Sequence, residues 1–229
     1  YTEHPPYEVL ATDLLSHKEL LRLKLVEDLL EKYYNSHRFE HALEFLIGNF
    51  FASSFQFFEA FSVYWEERKF HQLAHRLPAL YRRLYDFAGA RPAISEDLPL
   101  LRELLRLDYL LQERYAEPPE WLSERRSSLD PEQELKKKKS EVLHRLAHDQ
   151  KLLARYLPDL VNLPGKEIAR RIRVESFAFD LLPGGRLVTA SAPPQPTMFL
   201  IRYDLPGQPG NGAGKRVKRF DNLDGDPSR

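Results

Sequence analysis

PYEVLATDLLSHKELLRLKLVEDLLEKYYNSHRF, residues 6–39, is the stretch whose reading decides the fold. Pro5 and Pro6 keep the entry extended, because proline fixes its own φ and pushes the residue before it away from helical angles. Ser16 followed by Glu19 is a capping box: the hydroxyl takes one orphan amide and the carboxylate reaches back to another. From there Leu20, Leu21, Leu23, Leu25, Val26, Leu29, Leu30 and Tyr33 recur at helical spacing. Lys18, Arg22, Glu27, Asp28, Glu31 and Lys32 occupy the other positions. The pattern predicts a helix half buried along its length that ends in the polar corner Tyr33-Tyr34-Asn35-Ser36-His37-Arg38.

Further helices follow the same logic. Asn35 and Ser36 break the chain before a helix carrying Phe39, Ala42, Leu43, Phe45, Leu46 and Phe50. Ser53 or Ser54 starts another, on which Phe55, Phe58, Phe61, Tyr64 and Trp65 repeat at helical period, the pattern of plain core. Pro78 suits a helix's first turn, so a helix is expected over 77–88, with 71–76 as a connection. Ser95 with Glu96 and Asp97 predicts a helix running to about Tyr115. An irregular crossing over 118–130 is expected to be anchored by Trp121, and Pro131 to open a long helix ending near Pro158. After Gly165 the period changes to two: Arg173, Glu175, Phe177 and Phe179 alternate with Val174, Ser176 and Ala178, and Thr197 to Tyr203 reads as a second strand. The expected fold is mainly α, a domain of about six helices with a small C-terminal β-hairpin and a disordered tail. Its divisions are a linker from an upstream domain (1–12), a helical domain (13–165), a hairpin appendage packed on it (166–205) and a flexible tail (206–229).

Composition narrows the function classes. Lys and Arg number 34, as do Asp and Glu, so no net field draws in nucleic acid or an anionic membrane. No apolar run approaches the roughly 18 residues of a membrane helix, and no secretory leader is legible; the expected location is cytoplasmic. Without cysteine the chain by itself holds no iron–sulfur cluster, thiolate zinc site or disulfide. It begins at Tyr1, and Met198 is its only methionine, so a longer parent polypeptide is expected.

Three features invite chemistry. His37 with His41, His71 with His75, and His144 with His148 are pairs four apart, a spacing that on a helix places two imidazoles on one face as metal ligands. Glu40 or Glu44 could add a third ligand near the first pair, but Pro78 takes the second pair partly out of helix and no pair encloses an HExxH glutamate. His37, His41, His144 and His148 therefore remain weak metal candidates. Lys136 to Lys139 could meet phosphate, but Glu132, Glu134 and Glu141 flank it as on a solvated face. The polar corner offers Tyr34, Asn35 and Arg38 as candidates to bind a substrate or partner, and equally reads as a turn in which Tyr33 is core. No catalytic residue is legible.

The 6–39 stretch, the FQFFEAFSVYW helix and the late RIRVESFAFDLL strand together resemble the C-terminal helical domain, of uncharacterised function, of bacterial cobalamin-binding radical-SAM proteins. Their wider relatives include the anaerobic Mg-protoporphyrin IX monomethyl ester oxidative cyclase. The resemblance runs to about Tyr203 and is most specific over 6–39. It implies a parent enzyme of Fe–S oxidoreductase or methyltransferase type using S-adenosylmethionine, a 4Fe-4S cluster and cobalamin, none of them held by this chain. The implied partners are the radical-SAM barrel of the same polypeptide and an unknown small-molecule substrate. This piece would be an accessory domain that covers the barrel or shapes the substrate site. The alternatives are a stand-alone helical protein-interaction module and a helical protein that binds metal through its histidine pairs.

Overall fold

In the computed structural model of the chain, Ser16 caps the first helix as the sequence requires. Its hydroxyl accepts from the Glu19 amide at 3.4 Å and the Glu19 carboxylate accepts from the Ser16 amide at 2.8 Å. The structure describes residues 16–113, 116–123, 132–203 and 217–220, so the expected linker and most of the expected tail lie outside the described residues. The chain divides into two compact units, Tyr1–Leu98 and Pro99–Arg229.

In the first unit, helix α1 (His17–Leu29) runs into a single wider π-helical turn, Leu30–Asn35. Its burial is not uniform, contrary to the expected half-buried stripe. Leu29 and Tyr33 are fully buried, whereas Leu21 and Leu23 are 48% and 45% exposed. The first turns of α1 lean on helix α3 (Ser54–Glu67), to which Arg22 is tied through Glu59 at 3.3 Å, and the core begins only at Leu29. Helix α2 (Glu40–Phe50) and α3 start where the cap residues place them, with the Ser53 hydroxyl accepting from the Gln56 amide. Of the expected aromatic stripe, Phe58, Phe61, Tyr64 and Trp65 are core and Phe55, at the start of the helix, is exposed; Phe57, Phe61 and Phe87 pack ring on ring, Phe61 to Phe87 at 4.5 Å. Helix α4 (Leu77–Gly89) carries Pro78 in its first turn. Ser95 does not start a helix. It lies in a 3-10 segment, Pro92–Asp97, its hydroxyl donating back to the Pro92 carbonyl at 2.7 Å, and helix α5 (Leu98–Gln112) begins after it.

The second unit is built on α5 and a small sheet. Nine of the fifteen residues of α5 are buried, and one polar tie to the sheet is Arg106, which donates to the Ser176 carbonyl and lies over the Phe177 ring at 4.7 Å. Strands β1 (Ile172–Phe177) and β2 (Thr197–Arg202) pair antiparallel, with Val174 opposite Leu200 and Glu175 opposite Phe199. A third strand, β3 (Val217–Phe220), extends the expected hairpin on the far side of β2. Period-two alternation assigns Phe177 and Phe199 to one face, their rings 5.6 Å apart. Val174, Leu200 and Phe220 join the core of the helices on the other.

Those helices differ from the single long one expected after Pro131. Helix α6 (Glu132–His148) stops at Asp149, whose carboxylate accepts from the Lys151 and Leu152 amides and so caps a separate helix α7 (Gln150–Tyr156). A further short helix α8 (Gly165–Arg171) leads straight into β1. Gly165 permits its approach to α6, since a Cβ there would sit 3.3 Å from the Ala147 carbonyl oxygen. In the crossing, Leu122 rather than Trp121 is the fully buried side chain. Among the described residues no helix is long and apolar enough to cross a membrane.

Candidate functional site

The polar corner is held together largely by its own chain. Tyr33 points inward: its hydroxyl donates to the Leu80 carbonyl at 3.0 Å and its ring meets Phe39, Phe61 and Trp65. Burial raises its phenol well above the ordinary value. Tyr34, the next residue, is 57% exposed. The Asn35 amide donates to Glu31 at 2.6 Å, the Arg38 backbone amide donates to the Ser36 hydroxyl, and the Arg38 carbonyl accepts from the Tyr81 hydroxyl at 2.8 Å. Between them His37 takes a left-handed backbone, φ 55°. The three candidates thus stand on one exposed turn that rests on a buried tyrosine.

The histidine pairs fall into three different settings. His37 precedes α2 and engages Glu40, whereas His41 lies inside that helix and is buried, so this pair does not occupy one helical face. His144 and His148 do share a face of α6, their rings stacked 4.2 Å apart, and His148 Nδ1 bonds the His144 carbonyl. No group of three His, Cys, Asp or Glu able to hold a metal ion occurs among the described residues. Within the lysine run, Lys136 and Lys137 are exposed, while Lys139 turns to the sheet and meets Glu175 at 2.7 Å.

Glu175 is the electrostatic centre of the second unit. It is buried and accepts from Arg106, Lys139 and Arg173, each at 2.7 Å. Burial alone would raise its carboxyl, but the lysine and the arginines together hold it below the usual carboxylate range. Glu103 and Glu117 balance the remaining charge on Arg106 and Arg173. Every charge in this cluster has a partner, so it reads as a tie between α5, α6 and β1.

The first unit contains a less balanced arrangement. A cavity of about 350 Å³ opens between α1 and the segment after α3. Leu21, Leu25 and Leu73 give it apolar walls; Lys24, Asp28, Lys32, Glu66 and His71 add polar ones, with Asp28 and Lys32 paired to each other. His75 lines it too, on the non-helical chain that leads into α4. Behind His75 stands Arg83 of α4, its Nη1 3.0 Å from His75 Nε2, its guanidinium 4.1 Å from the Phe70 ring centre and 5.3 Å from that of Trp65. Burial lowers the Arg83 pKa. Sequence reading took Trp65 as core and weighed His71 and His75 only as metal ligands; no local spacing marks Arg83 as their neighbour.

The chain belongs to the family described as a protein of unknown function, DUF4080, whose model matches residues 1–198. No curated protein and no solved structure matches it.

Proposed function

We propose that this DUF4080 domain is the accessory C-terminal part of a cobalamin-dependent radical-SAM enzyme, covering the barrel or shaping the substrate site, with no catalytic centre of its own. The observation that supports this reading is the exposure of the first turns of α1. Leu21 and Leu23, two positions and so about 200° apart around the helix, are both nearly half exposed, and Phe55 at the start of α3 is 60% exposed. A helix apolar on two sides and capped cleanly at Ser16 is suited to lie between its own core and a second body. The lack of cysteine agrees with a division of labour in which cluster ligands come from another domain.

The test is the natural polypeptide that carries this sequence, purified without oxygen. Iron and sulfide analysis with cobalamin extraction is expected to find both cofactors. Replacing Tyr34, Asn35 and Arg38 together by alanine is expected to weaken substrate binding or turnover while leaving cofactor content unchanged. A polypeptide that binds neither a cluster nor cobalamin overturns the reading. Unchanged binding and turnover in the triple variant removes the polar corner from it.

A further inference from the structure

The groups behind the cavity in the first unit are out of balance in one direction. Arg83 Nη1 donates to His75 Nε2, so that nitrogen is the acceptor and the neutral imidazole carries its proton on Nδ1. His75 Nδ1–H is buried and has no acceptor among the described residues, and neither has the buried Trp65 Nε1–H. Their rings meet edge to face at 4.9 Å. No carboxylate among the described residues pairs with Arg83; its contacts are the imidazole and two aromatic faces. Two buried donors without acceptors, beside a partly exposed cation that no carboxylate pairs, suit a ligand that brings lone pairs and negative charge.

We propose that the cavity is a binding site for a small organic monocarboxylate with an apolar body. The carboxylate accepts from His75 Nδ1–H, uncovered by a small shift of the chain before α4, while Nε2 keeps its bond from Arg83, which balances the charge from behind. The apolar body lies on Leu21, Leu25 and Leu73. A volume of about 350 Å³ falls in the range of small-molecule pockets. On the same walls Lys24 and Lys32 are matched in number by Asp28 and Glu66, so the lining has no cationic excess of its own to hold a dianion such as phosphate. The site shares Leu21 with the surface that supports the accessory-domain reading, but every group belongs to this chain and binding is measured without an upstream domain, so the two readings fail separately.

Three probes decide it, each titrated into the full 229-residue chain and read by calorimetry and by the side-chain nitrogen resonances of labelled histidine. They are cyclohexanecarboxylate, its neutral twin cyclohexanecarboxamide, and inorganic phosphate. The carboxylate is expected to bind saturably and to shift the His75 Nδ1 resonance, identified by its loss in His75→Phe. The carboxamide and phosphate are expected to bind at least about tenfold more weakly, a difference of about 1.4 kcal/mol. Arg83→Gln is expected to abolish the preference for carboxylate over carboxamide. Leu73→Asp, at an exposed wall position, is expected to weaken the carboxylate with no change in melting temperature. Equal affinity for the charged and neutral twins, phosphate binding as tightly as the carboxylate, or no saturable carboxylate binding by the unaltered chain overturns the proposal.

Discussion

Replacing Tyr33 by phenylalanine and by alanine separates the two contributions this side chain makes to the first unit. The phenylalanine variant removes only the hydroxyl that donates to the Leu80 carbonyl at 3.0 Å, a net contribution of about 1 kcal/mol. Alanine also removes a fully buried ring in contact with Phe39 at 4.8 Å, Phe61 at 5.0 Å and Trp65 at 6.0 Å. Truncating a buried aromatic costs about 3–5 kcal/mol, so the total is about 4–6 kcal/mol. For a urea dependence of about 2 kcal/mol per molar, the midpoints should fall by about 0.5 M and about 2–3 M. Trp65 makes the measurement local: in a Trp121→Phe background it is the only tryptophan left, and its fluorescence reports the first unit. Tyr34→Ala is the control, since its side chain is 57% exposed and its loss should stay within about 0.5 kcal/mol. The reasoning fails if Tyr34→Ala moves the midpoint as far as Tyr33→Ala, or if Tyr33→Ala costs less than about 1 kcal/mol. The same phenol carries a pH signature. Its folded pKa lies well above the ordinary 10.0, so the folded state keeps a proton that the unfolded chain gives up. Stability from this source is complete below the unfolded value and is lost as pH rises beyond it. Tyr33→Phe should flatten that alkaline decline.

Three further outcomes follow from the second unit and from the backbone. Glu175→Gln leaves Arg106, Lys139 and Arg173 without their shared anion and should destabilise the second unit by about 3 kcal/mol, read from Trp121 fluorescence in a Trp65→Phe background. Because the Glu175 pKa is depressed in the folded state, its contribution is complete above the unfolded value near 4.5 and is lost as pH falls through the folded one. The Gln variant should therefore lose less stability on acidification than the unaltered chain. Asp149→Ala removes the acceptor of two amides at the start of α7 and should cost about 1 kcal/mol, with a matching loss of amide exchange protection at Lys151 and Leu152. Lys69→Gly should stabilise the first unit by up to about 1 kcal/mol in urea titration, because Lys69 is exposed and holds φ at 55°. A destabilised Lys69→Gly variant would show that its side chain has a role the backbone account misses.

What the sequence disclosed depended on the range of the interaction that specifies each feature. Ser16, Ser53 and Pro78 act within one helical turn, and the helices they start lie where the caps and the proline put them. The alternation from Arg173 to Phe179 likewise announced β1, because period two is a local signal. Ser95 misled since its hydroxyl bonds backward to Pro92 instead of forward, a choice between two local bonds that composition does not settle. Asp149 was hidden in a continuous helical period, although its carboxylate is an ordinary cap once the break is known. β3 has only four residues, too few to show a period of its own, and draws its definition from pairing with β2. The charge around Glu175 could not be foreseen, because Arg106, Lys139 and Arg173 come from three elements far apart in the chain.

The same distinction explains why the conspicuous polar corner and the cavity differ so much in legibility. Tyr34, Asn35 and Arg38 attract attention because they are close in sequence, yet closeness on a turn is also how a chain satisfies its own backbone, as the bond from the Arg38 amide to the Ser36 hydroxyl shows. The groups behind the cavity follow one another at intervals of 5 to 8 residues, and each has an innocuous local reading: Trp65 as core, Phe70 as a turn residue, His75 as half of a pair, Arg83 as helix surface. Their imbalance exists only in space. Tyr33 connects the two regions, since its ring touches Trp65 and Trp65 in turn touches His75. The π-helical turn that holds Tyr33 inward therefore supports the wall behind the cavity as well as the corner. A turn of this wider kind is seldom kept without a reason, and seating one tyrosine against Trp65 supplies a physical one.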